Sequence, residues 1–217
     1  MDSSDSWVIN DVDKAPALVA AEAGYDVWLG NLRGNRHSHT HETLDPEKDA
    51  EKFFDFDIEH HTDLDLVAMV EYVSAASSPD YDKIAYVGHS MGTTIMYRLA
   101  AARPDFVEQH IATFVALGPV IAPGHVTAPV AKAAIKSQNL LWHLVKFDEM
   151  YELSEPDQIE SYLFTVLCTR PWWKPCEQAQ TWISTNDLGL MNEDRYEVFM
   201  GHYPAGGSTK VIFHYLQ

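Results

Sequence analysis

Basic residues are scarce in this sequence. Fifteen Lys and Arg face 32 Asp and Glu, a formal net charge of −17. Phosphate backbones and anionic lipid surfaces are held by basic faces, so a nucleic-acid role and a polybasic membrane patch are both excluded. No apolar run reaches the roughly 18 residues that a membrane-crossing helix needs. The opening Met1-Asp2-Ser3-Ser4-Asp5-Ser6 has neither a basic stretch nor an apolar one, so no signal peptide is expected in this chain. Cysteine occurs twice, at Cys168 and Cys176, too few for a disulfide scaffold and without metal-ligand spacing. On spacing alone the two are equally readable as one bridge or as two thiols. No N-x-S/T glycosylation site, internal repeat or low-complexity tract is present.

What the chain does have is core material. Of its 217 residues 46% are hydrophobic and only 22% charged, with six Trp, ten Tyr and nine Phe, which excludes disorder as the main state. Helices and strands alternate in the first half. An Ala-rich stretch at 11–23 predicts a helix that Gly24 ends. Tyr25 to Leu29, bounded by Gly24 and Gly30, predicts a strand. From Glu59 to Ser74, Leu64, Val67, Ala68, Val70 and Val73 recur at helical spacing. Lys83 to Val87 predicts a strand, 91–102 a helix, and Ile111 to Leu117 a third strand. This order implies an α/β fold with a parallel sheet and crossover helices. Beyond about residue 121, prolines and dense aromatics replace the alternation. The expected division is therefore a partial core over 1–120 and a largely helical region over 121–217.

Chemistry enters at Gly88-His89-Ser90-Met91-Gly92, a G-x-S-x-G match. The five residues alone are a weak signal. A strand running in and a helix running out make the setting of a nucleophile elbow. The turn is tight, so Gly88 and Gly92 are expected to let strand and helix pass closely, and Ser90 to take a strained backbone. Ser90 would then stand exposed at a helix start, where free N–H groups favour negative charge. The Met91 N–H is the expected first oxyanion donor. The competing reading is an ordinary helix-capping serine. A serine nucleophile also needs a base oriented by an acid. His110, His125, His143, His202 and His214, with Asp105, Asp148, Asp157, Asp187 and Asp194, follow the elbow, yet none lies in a recognisable setting. The sequence shows no triad.

Several segments, in order, resemble the acid lipase family of α/β-hydrolases, which includes gastric and lysosomal acid lipases. These are Ala23 to Asn31 followed by Arg33-Gly34-Asn35; His41, Thr43-Leu44 and Pro46; Phe53-Phe54-Asp55-Phe56; and Asp65-Leu66-Val67-Ala68. Gly88 to Thr94 matches the elbow, with Met91 where Gln is usual. His202, Pro204-Ala205-Gly206, Ser208, His214 and Gln217 resemble a stretch of the family's cap.

The resemblance implies an incomplete α/β-hydrolase core over 1–120 with most of a cap over 121–217. It implies a serine hydrolase of lipid esters, acylglycerols or steryl esters, needing no cofactor and no metal and working through an acyl-enzyme at Ser90. It places the second oxyanion donor before Met1, and the triad acid and His beyond Gln217. It implies a Cys168–Cys176 bridge, hence an oxidising compartment, secreted or lysosomal. Rival readings are an inactive fragment or lipid-binding pseudoenzyme, and a short-chain esterase or thioesterase. The alternating His37, His39 and His41 and the pair His60-His61 read as solvated polar positions before metal ligands. Trp172-Trp173 reads as cap packing before a lipid-contacting tip.

Overall fold

β1, Ile84–His89, and β2, Ile111–Leu117, pair in parallel, and they are the only paired strands among the described residues. The computed structural model describes residues 2–77, 82–121, 129–153, 176 and 192–216. Two compact units result, one of Phe56–His125 and one of Met1–Asp55 with Val126–Gln217.

The first unit carries the sheet. Partners Tyr86 and Phe114, then Gly88 and Ala116, share one face; Val87 and Val115, then His89 and Leu117, share the other. Side chains alternate along a strand, so the burial follows the pairs. Tyr86, Gly88, Phe114 and Ala116 are buried or half-buried, while Val87, Val115 and Leu117 stay exposed. Between the strands run the helices Met91–Ala102 and Pro104–His110, the second opened by a proline whose missing N–H costs a first turn nothing. Thr93, Ile95, Met96 and Leu99 form the buried face of the first of these.

That face packs on a helical run of unusual build. Ile58–His60 is α-helical, His61–Leu66 is π-helical, and Val67–Ala76 returns to α. Asp57 caps the start: its carboxylate accepts the Glu59 and His60 amides at 2.9 and 3.3 Å. The π turn widens the helix and shifts the phase of every later residue. Ile58, His61, Thr62, Leu66, Val67 and Val70 are buried, whereas Leu64, expected inside from 3.6-residue spacing, is 51% exposed.

The second unit is tied across the sequence by hydrogen bonds. Arg195 donates twice to the Ile9 carbonyl, at 2.9 and 2.6 Å, and Asn192 to Asn10 at 2.8 Å. The buried Ser208 hydroxyl donates to the Phe54 carbonyl at 2.6 Å, and Arg36 N–H to the Ala205 carbonyl at 2.9 Å. These ties group Met1–Asp55 with the later residues in one compact unit. The predicted strand at 25–29 is not formed. An extended segment becomes a strand only when a neighbour completes its hydrogen bonds, and no described residue pairs with it; Tyr25, Trp28 and Leu29 remain exposed.

Candidate active site

Ser90 stands between β1 and the helix Met91–Ala102 with φ 49° and ψ −114°. A non-glycine residue with such a backbone is strained, and surrounding contacts must hold it there. Several do. Its N–H donates to the Leu117 carbonyl at 3.0 Å, at the end of β2. Its carbonyl accepts the Thr93 N–H at 2.9 Å and the Thr93 hydroxyl at 2.6 Å. The Ser90 hydroxyl makes no capping bond to the helix, contrary to an ordinary cap serine, and the residue is exposed. Met91 begins the helix, so its N–H belongs to the first turn, which has no intrahelical acceptor.

Close approach explains one glycine of the motif and not the other. A Cβ on Gly88 would lie 2.7 Å from the Gly92 carbonyl oxygen and 2.9 Å from the Tyr86 ring. A Cβ on Gly92 would meet only the Tyr86 hydroxyl, at an ordinary 3.5 Å. The expectation that both let strand and helix pass closely holds for Gly88 alone. His89 is exposed and its ring lies beside Gly118, 3.7 Å from where a Cβ there would stand.

Groups outside the five-residue motif brace it. The Tyr86 hydroxyl donates to the Gly92 carbonyl at 3.0 Å, and burial pushes this phenol well above its ordinary pKa, so it stays a donor. Thr93 is fully buried; its hydroxyl also accepts the Val120 N–H at 3.0 Å. Thr94 donates to the Val120 carbonyl at 2.7 Å. Sequence reasoning passed over Tyr86, Thr93 and Thr94 as bracing groups, although two hydroxyls in the first turn of a helix were the available signal.

Among the described residues, the histidines downstream of the elbow do not assemble a base–acid pair. His110 contacts Ser74 at 3.4 Å and His202 donates to the Val198 carbonyl at 2.8 Å. Among the described residues, none of His110, His143, His202 and His214 is ion-paired with a carboxylate; His125, Asp157 and Asp187 lie outside them. Pairing occurs upstream instead. His37 meets Asp5 at 2.9 Å and His39 meets Glu152 at 3.0 Å, while His41 accepts the Thr43 and Leu44 amides. The alternating histidines thus serve separate partners. In the π segment, His61 pairs with Asp65 at 2.9 Å, both nearly buried, with Phe56 edge-on to the ring. Sequence reasoning had placed His61 on a solvated helix face; the wider π turn brings it inside. Cys176 is disulfide-bonded; Cys168 lies outside the described residues, as does Trp172-Trp173.

The chain matches known proteins over its whole length. The family profile described as alpha/beta hydrolase fold covers residues 1–144. Mouse gastric triacylglycerol lipase is 32% identical over 99% of this chain and 53% of the relative. Human lysosomal acid lipase/cholesteryl ester hydrolase is 31% identical over 99% and 52%. Drosophila melanogaster Lipase 1 is 30% identical over 100% and 47%. The chain therefore spans about half the length of the curated relatives it matches. With a strained serine between a parallel strand and its crossover helix, and a family profile over two thirds of its residues, this chain belongs to the α/β-hydrolase fold family.

Proposed function

We propose that this chain carries the nucleophile of a serine carboxylic-ester hydrolase acting on lipids, acylglycerols or steryl esters. The observation that carries the reading is the strained, exposed Ser90 at the strand–helix junction. Its oxygen would attack the ester carbonyl carbon and form an acyl-enzyme, and water would then release the fatty acid. The Met91 N–H would be one donor to the developing oxyanion, helped by the positive end of its helix. Gly88, His89 and Gly92 complete the elbow. The base and the acid of the triad would come from residues beyond Gln217.

A lipid substrate is supported by the relatives, named as gastric triacylglycerol lipase and as lysosomal acid lipase/cholesteryl ester hydrolase. Transient contact with a lipid interface is supported by an apolar ridge. Leu140, Leu144 and Phe147 share one face of the helix Pro129–Phe147, and with Met150 they are more than half exposed. No helix among the described residues is long and apolar enough to cross a membrane. The bridged Cys176 suits an oxidising compartment, in keeping with a secreted or lysosomal place of action.

Fluorophosphonate labelling of the folded chain beside Ser90→Ala tests the reading. Covalent labelling that disappears in Ser90→Ala is expected wherever a base serves Ser90. A folded protein with its full complement of chain that stays unlabelled sinks the hydrolase assignment. Equal or faster turnover of short-chain esters than of long-chain ones removes the lipase assignment alone.

A further inference from the structure

Val120 lies just past β2, where the chain leaves the sheet, and has no ladder partner. Both of its backbone groups are nonetheless bonded, and by consecutive side chains of another element. Thr93 Oγ1 accepts its N–H at 3.0 Å, and Thr94 Oγ1 donates to its carbonyl at 2.7 Å. The same Thr93 hydroxyl spends its single proton on the Ser90 carbonyl, at 2.6 Å. One buried hydroxyl therefore joins the strained residue to the loop after β2. On the other side of Ser90, its N–H is held by Leu117, three residues before Val120.

We infer that Thr93 is a positioning residue for the nucleophile: its hydroxyl locks the Ser90 carbonyl, and so the plane of the Ser90–Met91 peptide, to the exit loop of β2. The peptide plane matters because it also carries the Met91 N–H. Rotating the Ser90 carbonyl turns that N–H with it. A residue at φ 49° relaxes toward an unstrained backbone when its restraints are removed. Thr93 and Thr94 replace the strand neighbour that Val120 lacks and keep the restraint in place. Thr93 is fully buried and its hydroxyl is engaged by backbone groups on both sides, so its effect is on alignment. The catalytic meaning rests on the proposed role of Ser90; the restraint itself does not.

Thr93→Val keeps the shape, deletes the hydroxyl and orphans the Val120 N–H. Thr93→Ser keeps the hydroxyl. Amide hydrogen exchange read by NMR at Ser90 and Val120, against Leu99 as a reporter of global opening, separates alignment from stability. In Thr93→Val those two amides exchange at least about tenfold faster relative to Leu99, the ratio expected for one lost buried hydrogen bond. Thr93→Ser restores the ratio. Equal acceleration at Leu99 means that Thr93 merely stabilises the fold, and no acceleration means that the clamp is absent; either overturns the inference. If Thr93→Val does not fold, Thr93→Ala, which also deletes the hydroxyl, must give the same local pattern at Val120 or the clamp fails. Fluorophosphonate capture is measured on the same proteins. Slower capture in Thr93→Val, with recovery in Thr93→Ser, ties the clamp to reactivity. Absence of capture in a protein that also carries the proposed base counts against the hydrolase reading, while the exchange data still decide the clamp.

Discussion

Replacing Gly88 by alanine tests the elbow most directly, because the clash can be read atom by atom. The added Cβ would stand 2.7 Å from the Gly92 oxygen, 2.8 Å from the Gly92 carbonyl carbon and 2.9 Å from the Tyr86 ring. Two of these are backbone atoms, so no rotamer change relieves them. The Gly92 oxygen is moreover the acceptor of the Tyr86 hydroxyl at 3.0 Å, so moving the helix away also stretches that bond. Real Cβ atoms essentially never come within 3.0 Å of such a neighbour, so the helix must withdraw by some tenths of an ångström. Forcing a methyl into a packed site costs about 1–3 kcal/mol. In a chain of this length that lowers Tm by roughly 2–4 °C for each kcal/mol. Gly92→Ala is the internal control. Its Cβ meets only the Tyr86 hydroxyl at 3.5 Å, and alanine is favoured over glycine in a helix by up to about 1 kcal/mol. Thermal and urea unfolding followed by circular dichroism should show Gly88→Ala clearly destabilised and Gly92→Ala unchanged or slightly stabilised. Equal effects, or the reverse order, would refute the steric account of the motif.

Other outcomes follow from the same geometry. Ser90→Gly should abolish fluorophosphonate labelling while raising stability by about 1 kcal/mol, because glycine accepts the backbone at φ 49° without strain; unchanged or lower stability in urea unfolding would contradict the strain. Tyr86→Phe should cost about 1 kcal/mol through the lost bond to the Gly92 carbonyl, with little change in the sheet, since the ring still packs on Phe114 at 5.7 Å; a neutral result would show the bond to be idle. His61→Ala should destabilise by about 2–4 kcal/mol, removing a buried ring and the Asp65 partner together; loss under 1 kcal/mol would mean that the π segment repacks freely. Burial of the Asp57 carboxyl works to raise its pKa, but hydrogen bonds from the His60 side chain and from the His60 and Glu59 amides outweigh it and hold it below the ordinary value. Its capping contribution is therefore present above the ordinary Asp range and lost as pH falls through the lowered folded value. The stability gap between the native chain and Asp57→Ala should narrow on acidification; a gap that widens would reverse the sign of the linkage.

Local structure was legible where the signal was short-range. The strand before Ser90, the helix after it and the strand ending at Leu117 follow from apolar runs broken by Gly and Pro, and each forms within a residue or two of its expected bounds. The strand–turn–helix around Ser90 was legible for the same reason: residues 84–102 supply all three parts from neighbours in sequence. The helix at 16–22 is shorter than the 11–23 expected, since Pro16 sets its start. Leu64 went astray because periodicity assumes one helical pitch throughout, and the π turn breaks that assumption. Residues 25–29 went astray because a strand is a property of a pair, and composition says nothing about whether the partner is there.

Residue order alone was enough to single out Ser90 as a candidate, because that choice depends on residue type and near neighbours. It was enough, too, to require glycine at position 88, though not to separate that need from the looser one at 92. Tertiary structure alone decided which groups hold Ser90 in place. Leu117 holds its N–H from 27 positions away, and Val120 holds the Thr93 hydroxyl that bonds its carbonyl, through hydrogen bonds that form only once β2 lies beside β1. It likewise decided that His61 is inside and that the first 55 residues group with the last ones. Burial and long-range hydrogen bonding are properties of the packed chain, and no window of sequence contains both partners.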